Sequence, residues 1–207
     1  TGNFGDVYAG YLAKKIGLPI NKFVVATNQN DILHRAITNG AYNVENVLET
    51  ISPSMDIQIA SNFERLIFDL NNQSGKKTIE VMKGIKEKGK YEIQKEFLDR
   101  INNDFLSSRM DENEVLNTIK SIYEKFDKVL DPHSAIGYGA FDKVNLKGNN
   151  IVLATAHPCK FPDAIEKAIN IKAELPSELA SILNEKENYD ILENNPDKIK
   201  QHIKERI

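Results

Sequence analysis

The spacing of apolar positions changes several times along the chain, and each change predicts an element. Val7, Tyr8, Leu12, Ala13 and Ile16 recur at helical spacing, so residues 6–16 read as a helix that Gly17 and Pro19 stop. Phe23-Val24-Val25-Ala26-Thr27 is a short apolar run of strand formers. Asn28 to Asp31 can cap the helix that follows, which ends near Gly40. Loop, helix, strand, helix is the order of an α/β domain with a parallel sheet.

Ser52-Pro53-Ser54 predicts a turn, and residues 56–60 alternate like a strand or an extended connection. Ser61-Asn62-Phe63-Glu64 has the capping-box form ahead of a helix carrying Phe63, Leu66, Ile67 and Leu70. From Gly75 to Val129 lysine and glutamate dominate. Val115, Ile119, Ile122, Phe126 and Val129 form one helical stripe there, with Asp111 and Glu114 placed to cap it. Asp131-Pro132-His133-Ser134 begins a helix with proline in its first turn. Ile151-Val152-Leu153-Ala154-Thr155 predicts a buried strand, and helices follow over 161–171, 177–185 and 196–206. The expected organisation is an α/β portion over 1–72, a helix-rich insertion over 73–130, and a return to the α/β domain with C-terminal helices over 131–207.

Composition narrows the function classes. The 207 residues are 41% apolar and 28% charged, as in a globular protein, and the net charge of −3 gives no basic surface for nucleic acid or membrane. One cysteine, Cys159, excludes an internal disulfide and fits a reducing compartment. No apolar run reaches the ~18 residues of a membrane helix. A cytoplasmic location is the expectation.

The candidate chemistry starts at the first residue. Gly2-x-x-Gly5 ahead of a helix reads either as a tight turn or as a phosphate cradle, in which backbone N–H groups and the helix dipole face an anion. It is neither a nucleotide P-loop nor a dinucleotide fingerprint, since the Lys-Ser/Thr pair and the third glycine are absent. Asp6 would repel a phosphate and is expected at the helix start instead. Thr155 closes the predicted strand, where its hydroxyl could face a ring nitrogen or simply end the strand. His157 beside Pro158 is open to the same two readings.

Five separated segments resemble the threonine synthases. They are Thr1-Gly2-Asn3-Phe4-Gly5-Asp6, with Ala9-Gly10 and Lys15-x-Gly17-Leu18-Pro19, then Ala26-Thr27-Asn28; Ser52-Pro53-Ser54-Met55-Asp56-Ile57; Ser61-Asn62-Phe63-Glu64-Arg65; Asp131-Pro132-His133-Ser134-Ala135; and Leu153-Ala154-Thr155-Ala156-His157-Pro158-x-Lys160-Phe161-Pro162. The resemblance spans residues 1–162, while 75–125 and the tail after 170 carry no such segment. It implies a two-domain, tryptophan-synthase-β-like α/β fold of the second structural class of pyridoxal-phosphate (PLP) enzymes. It implies conversion of O-phospho-L-homoserine and water to L-threonine and phosphate, a carbon–oxygen lyase reaction running through a substrate–PLP Schiff base. Gly2, Asn3, Phe4, Gly5 and Asp6 then fall in the loop that binds the PLP phosphate, and Thr155 falls opposite the pyridine nitrogen. Lys160, Arg65, Ser61, Asn62 and His157 become candidates for the substrate. The family's Schiff-base lysine precedes the glycine loop within a Phe-Lys-Asp motif that these residues lack. We therefore expect the chain to be the C-terminal part of a longer protein, inactive alone, with exposed apolar surface where the rest would pack. A related PLP lyase acting on another phosphorylated amino acid, and a non-catalytic phosphate- or PLP-binding module, are the alternatives. Nothing in the sequence sets the oligomeric state.

Overall fold

The computed structural model describes the backbone of residues 1–207 and every side chain except that of Leu183. Two units are separable, Thr1–Ala173 and Glu174–Ile207.

In the first unit, α1 (Gly5–Lys15), β1 (Phe23–Thr27) and α2 (Ile32–Asn39) follow in the expected order. Gly40, at φ 81, closes α2 in the left-handed conformation that favours glycine. Then come β2 (Ala41–Asn43), a 3-10 turn at Pro53–Met55, α3 (Phe63–Leu70), α4 (Gly75–Lys88), β3 (Lys90–Glu92), α5 (Lys95–Asp104) and β4 (Phe105–Arg109). The unit finishes with α6 (Glu112–Phe126), α7 (Pro132–Val144), a 3-10 turn at Pro158–Lys160 and α8 (Pro162–Ile169). The capping box of α6 forms as expected: the Asp111 side chain accepts from Glu114 N–H, and the Glu114 carboxylate accepts from Asp111 N–H.

Strands β1 and β4 pair in parallel, from Phe23 opposite Phe105 to Thr27 opposite Arg109, while β2 and β3 form a short antiparallel pair. Alternation along β1 sends Val25 to one face and Ala26 to the other. On the Val25 face lie Phe4, Tyr8, Ile32, Leu33, Phe63, Leu66, Ile101 and Phe105. On the Ala26 face lie Met55, Met110, Val115, Ile119, Ile136 and Ile165. The sheet is thus sandwiched between helical layers, and α7 closes tightly on the second face. A Cβ at Gly139 would come within 2.2 Å of Met110 Cε, so a larger residue there would have to displace the end of the Met110 side chain.

Four expectations change. The lysine-rich stretch after residue 73 is mostly helical, but it also supplies β4, the partner of β1, and so is woven into the sheet. Residues 151–155 do not form a buried strand: they have no regular secondary structure and no ladder partner among the described residues, and Ile151 is 89% exposed. A high β-propensity run stays outside a sheet when nothing pairs with its backbone. The capping box expected at Ser61 does not form, because Asn62 is the N-cap and Ser61 Oγ donates to Asn3 Oδ1 instead. The 56–60 segment is neither the strand nor the extended connection expected, since it passes through bends at Gln58 and Ile59.

In the second unit a 3-10 helix covers Ser177–Asn184 and α9 covers Pro196–Lys204. Asn195 Oδ1 caps α9 by accepting from Asp197 and Lys198 N–H, and Asp190 pairs with Arg206 at 2.9 Å.

Candidate functional site

Residues 1–5 form a turn at the carboxyl end of β1, with the Thr1 nitrogen 2.6 Å from Ala26 O. Phe4 makes the turn possible. It sits at φ 66, a left-handed conformation that costs a non-glycine residue about 1 kcal/mol or more. Burial offsets that cost: Phe4 is fully inaccessible and meets Phe63 edge-on at 5.2 Å and Phe105 at 5.5 Å. Strain held in place by a packed core is a mark of functional turns. Among the described residues, the N–H groups of Gly2, Asn3, Phe4, Gly5 and Asp6 donate to no protein acceptor. Five successive free donors at the start of α1 are an anion-binding geometry. The Asp6 carboxylate is occupied elsewhere, accepting from Thr1 Oγ1 and from Val7 N–H at 2.7 Å.

Two segments seat the turn. Asn3 Oδ1 accepts from Ser61 Oγ at 3.0 Å and Asn62 N–H at 3.3 Å. Gly2 lies flat on the Ser54–Met55 backbone, where a Cβ would stand 2.8 Å from Met55 Cα. That backbone is itself pinned. Asp56 Oδ1 accepts from Thr50 Oγ1 at 2.7 Å, Asn28 Nδ2 at 2.8 Å and Asn30 Nδ2 at 2.9 Å.

A second polar chain leads from this seat to Thr155. Ser54 N–H donates to His133 Nε2 at 3.2 Å, so the ring proton sits on Nδ1, which bonds Asp131 Oδ1 at 3.0 Å. The other oxygen of Asp131 accepts from Ser134 Oγ, and Ser134 Oγ accepts from Thr155 N–H at 3.1 Å. Burial would raise the Asp131 carboxyl, but hydrogen bonds from His133 and Ser134 outweigh it and hold it below the usual carboxylate range. The Thr155 hydroxyl itself is left exposed.

The remaining candidates are less tied. Arg65 lies over the Tyr8 ring, with its guanidinium carbon 6.0 Å from the centroid. With Ser61, Asn62, Phe68 and Thr78 it borders an open depression of roughly 560 Å³ between α3 and α4. His157 caps the 3-10 turn by accepting from Cys159 N–H at 3.2 Å. The Lys160 side chain is exposed and makes no polar contact among the described residues. The structure therefore joins Asn3, Ser61 and Asn62 directly, seats Gly2 on Ser54–Met55, and reaches Thr155 through Asp131, His133 and Ser134. It does not bring Lys160 to the turn by any bond.

A family model described as "Threonine synthase, C-terminal" matches residues 134–203. The threonine synthase of Pseudomonas aeruginosa is 39% identical over 206 residues, covering 98% of this chain and 44% of that protein. The threonine synthase of Saccharomyces cerevisiae is 42% identical over 82% of this chain and covers 37% of its own length. The crystal structure of PLP-bound threonine synthase from Brucella melitensis superposes with a TM-score of 0.88 at 42% identity, over 99% of this chain and 44% of that one. The chain belongs to the threonine synthase family. It spans less than half the length of the relatives it matches.

Within this chain, sequence reasoning found the turn but missed the roles of His133 and Ser134. Asp-Pro at a helix start signals a cap, and Asp131 is that cap. No local signal shows that His133 and Ser134 reach Ser54 and Thr155, which lie 79 and 21 positions away.

Proposed function

We propose that this chain supplies the cofactor-phosphate and ring-nitrogen side of a threonine synthase site, which converts O-phospho-L-homoserine and water to L-threonine and phosphate with PLP. The observation that carries the reading is the run of free N–H groups from Gly2 to Asp6 at the start of α1, on a turn shaped by left-handed Phe4. That donor set fits a phosphate monoester: backbone amides and a helix dipole favour a dianion and need no lysine. The matching of this chain to a PLP-bound threonine synthase supports the same cofactor.

When bound, PLP supplies the electron sink for loss of protons from the substrate's α and β carbons. The chain's own residues hold and orient. The free backbone N–H groups of Gly2, Asn3, Phe4, Gly5 and Asp6 would hold the phosphate. Ser61 and Asn62 fix the Asn3 side chain and so the turn. The Thr155 hydroxyl would hold the pyridine nitrogen, where a neutral partner would leave that nitrogen largely unprotonated. Arg65 and Lys160 are the cations for the substrate's phosphate or carboxylate, with Ser61, Asn62 and His157 as further polar contacts. We assign the amine that would join PLP covalently outside these 207 residues, since none of their lysines stands in the Phe-Lys-Asp motif that the family resemblance implies. No helix among the described residues is long and apolar enough to cross a membrane, and a cytoplasmic enzyme of small metabolites is the reading that fits.

The test is turnover and labelling in the full-length protein. Threonine and phosphate should appear in equal amounts from phosphohomoserine. Borohydride reduction with PLP should label no lysine within residues 1–207. A different amino acid product, or a pyridoxyl lysine in this chain, overturns the reading.

A further inference from the structure

The buried Asp131 cluster does more than cap α7. The Asp131 side chain has no accessible surface, and both its oxygens are engaged. Oδ1 accepts from His133 N–H at 2.9 Å and His133 Nδ1 at 3.0 Å, and Oδ2 accepts from Ser134 Oγ. Each of these two partners then receives one backbone N–H from a different segment. His133 Nε2 receives Ser54 N–H, and Ser54 with Met55 forms the floor on which Gly2 rests. Ser134 Oγ receives Thr155 N–H. The Phe161 ring packs on the His133 ring at 4.7 Å and limits its rotation.

Charge makes the arrangement directional. An ionised carboxylate offers acceptors only, so it draws the His133 proton to Nδ1 and the Ser134 hydroxyl hydrogen to itself. Those two choices are what leave Nε2 and Ser134 Oγ as acceptors for Ser54 and Thr155. A helix cap alone requires neither, because the cap bonds run to the N–H groups of His133 and Ser134.

We infer that Asp131 is a positioning residue that, through His133 and Ser134, fixes the spacing between the phosphate turn and the Thr155 hydroxyl, and so between the two ends of a bound PLP. The inference rests on the functional reading above.

Three variants of the full-length protein separate the arms. Asp131→Asn keeps a good helix cap but presents an acceptor on only one side. His133→Leu removes the acceptor for Ser54 alone, and Ser134→Ala removes the acceptor for Thr155 alone. Hydrogen exchange without cofactor should be about tenfold faster at Ser54 in His133→Leu, at Thr155 in Ser134→Ala, and at both in Asp131→Asn. With PLP, Asp131→Asn should raise the Kd about tenfold, the equivalent of one hydrogen bond. It should also move both the cofactor absorption band and its phosphorus resonance. His133→Leu should move mainly the phosphorus resonance, and Ser134→Ala mainly the absorption band.

Variants that lower Tm yet leave Kd, band and resonance at wild-type values would reduce Asp131 to a cap and overturn the inference. So would exchange rates unchanged at Ser54 and Thr155 in the two single-arm variants, which decide the matter even where Asp131→Asn folds poorly. A wild-type protein that binds no PLP would instead sink the functional reading itself.

Discussion

Adding one methyl group at Gly2 tests whether the turn is held as tightly as its contacts imply. A Cβ there would stand 2.8 Å from Met55 Cα, 3.3 Å from Ser54 O and 3.4 Å from Met55 C. All three are backbone atoms, so no flexible side chain can swing away. Nor can the segment itself retreat: Ser54 N–H is held by His133, and the loop around it by the Asp56 carboxylate. Gly2→Ala must therefore push the turn outward. Overpacking of this kind costs about 1–3 kcal/mol. Displacing one N–H from a phosphate dianion forfeits a charge-assisted hydrogen bond of roughly 1.5–3 kcal/mol, or about a 10- to 100-fold rise in Kd. Fluorescence titration with PLP reads the affinity, and calorimetric melting reads the stability. Gly84→Ala is the control. It lies inside α4 with no heavy atom within 4 Å of the added methyl, so it should stabilise by about 0.5–1 kcal/mol and leave the Kd alone. Gly2→Ala binding PLP with wild-type affinity would refute the close seating of the turn.

Other perturbations follow from the same contacts. Phe4→Ala should lower stability by about 3–5 kcal/mol in chemical denaturation, because the ring is fully buried among Tyr8, Phe63 and Phe105. Tyr42→Phe should cost about 1–3 kcal/mol, since Ala60 N–H loses its acceptor at 2.8 Å while the stack on Phe63 survives. Acid should unfold the protein partly through Asp31 and Asp131. Burial opposes the ionised form of each, but Arg35 and Arg109 around Asp31, and His133 and Ser134 around Asp131, hold both carboxyls below the usual range. A depressed folded value means the contribution is present above the unfolded pKa of about 3.9 and lost as pH falls through the folded value. Urea midpoints measured from pH 6 downward should accordingly drop below about pH 4, and drop less steeply in Asp31→Asn.

How much of this was legible in the sequence depended on how local each cause is. Helix α1, strand β1, helix α2 and the capped start of α6 arise from periodicity and neighbouring caps, and the chain writes those plainly. Strand β4 was hidden. Phe105 and Leu106 continue the helical spacing of Phe97, Leu98 and Ile101, and only pairing with β1, more than eighty residues away, makes them a strand. Residues 151–155 fail in the opposite direction, having strand composition without a partner. At the site, Gly2 to Gly5 announced a turn, and the structure adds what shapes it: the buried Phe4 ring and the floor at Ser54–Met55. Ser61 read as a cap because a serine hydroxyl can accept from nearby N–H groups, but the N-cap position falls one residue later, at Asn62, and the hydroxyl donates to Asn3, fifty-eight positions away. The Asp131–His133–Ser134 links were invisible for the same reason, as both of their outer partners are distant in the chain.

The central claim is that the amides of Gly2 to Asp6 hold the phosphate of PLP. A crystal structure of the full-length protein with PLP measures it directly. The account predicts phosphate oxygens at about 2.7–3.2 Å from several of those five nitrogens, with the Thr155 hydroxyl against the pyridine nitrogen. A phosphate bound elsewhere, for instance beside Arg65 in the depression between α3 and α4, with the turn left empty, would contradict it.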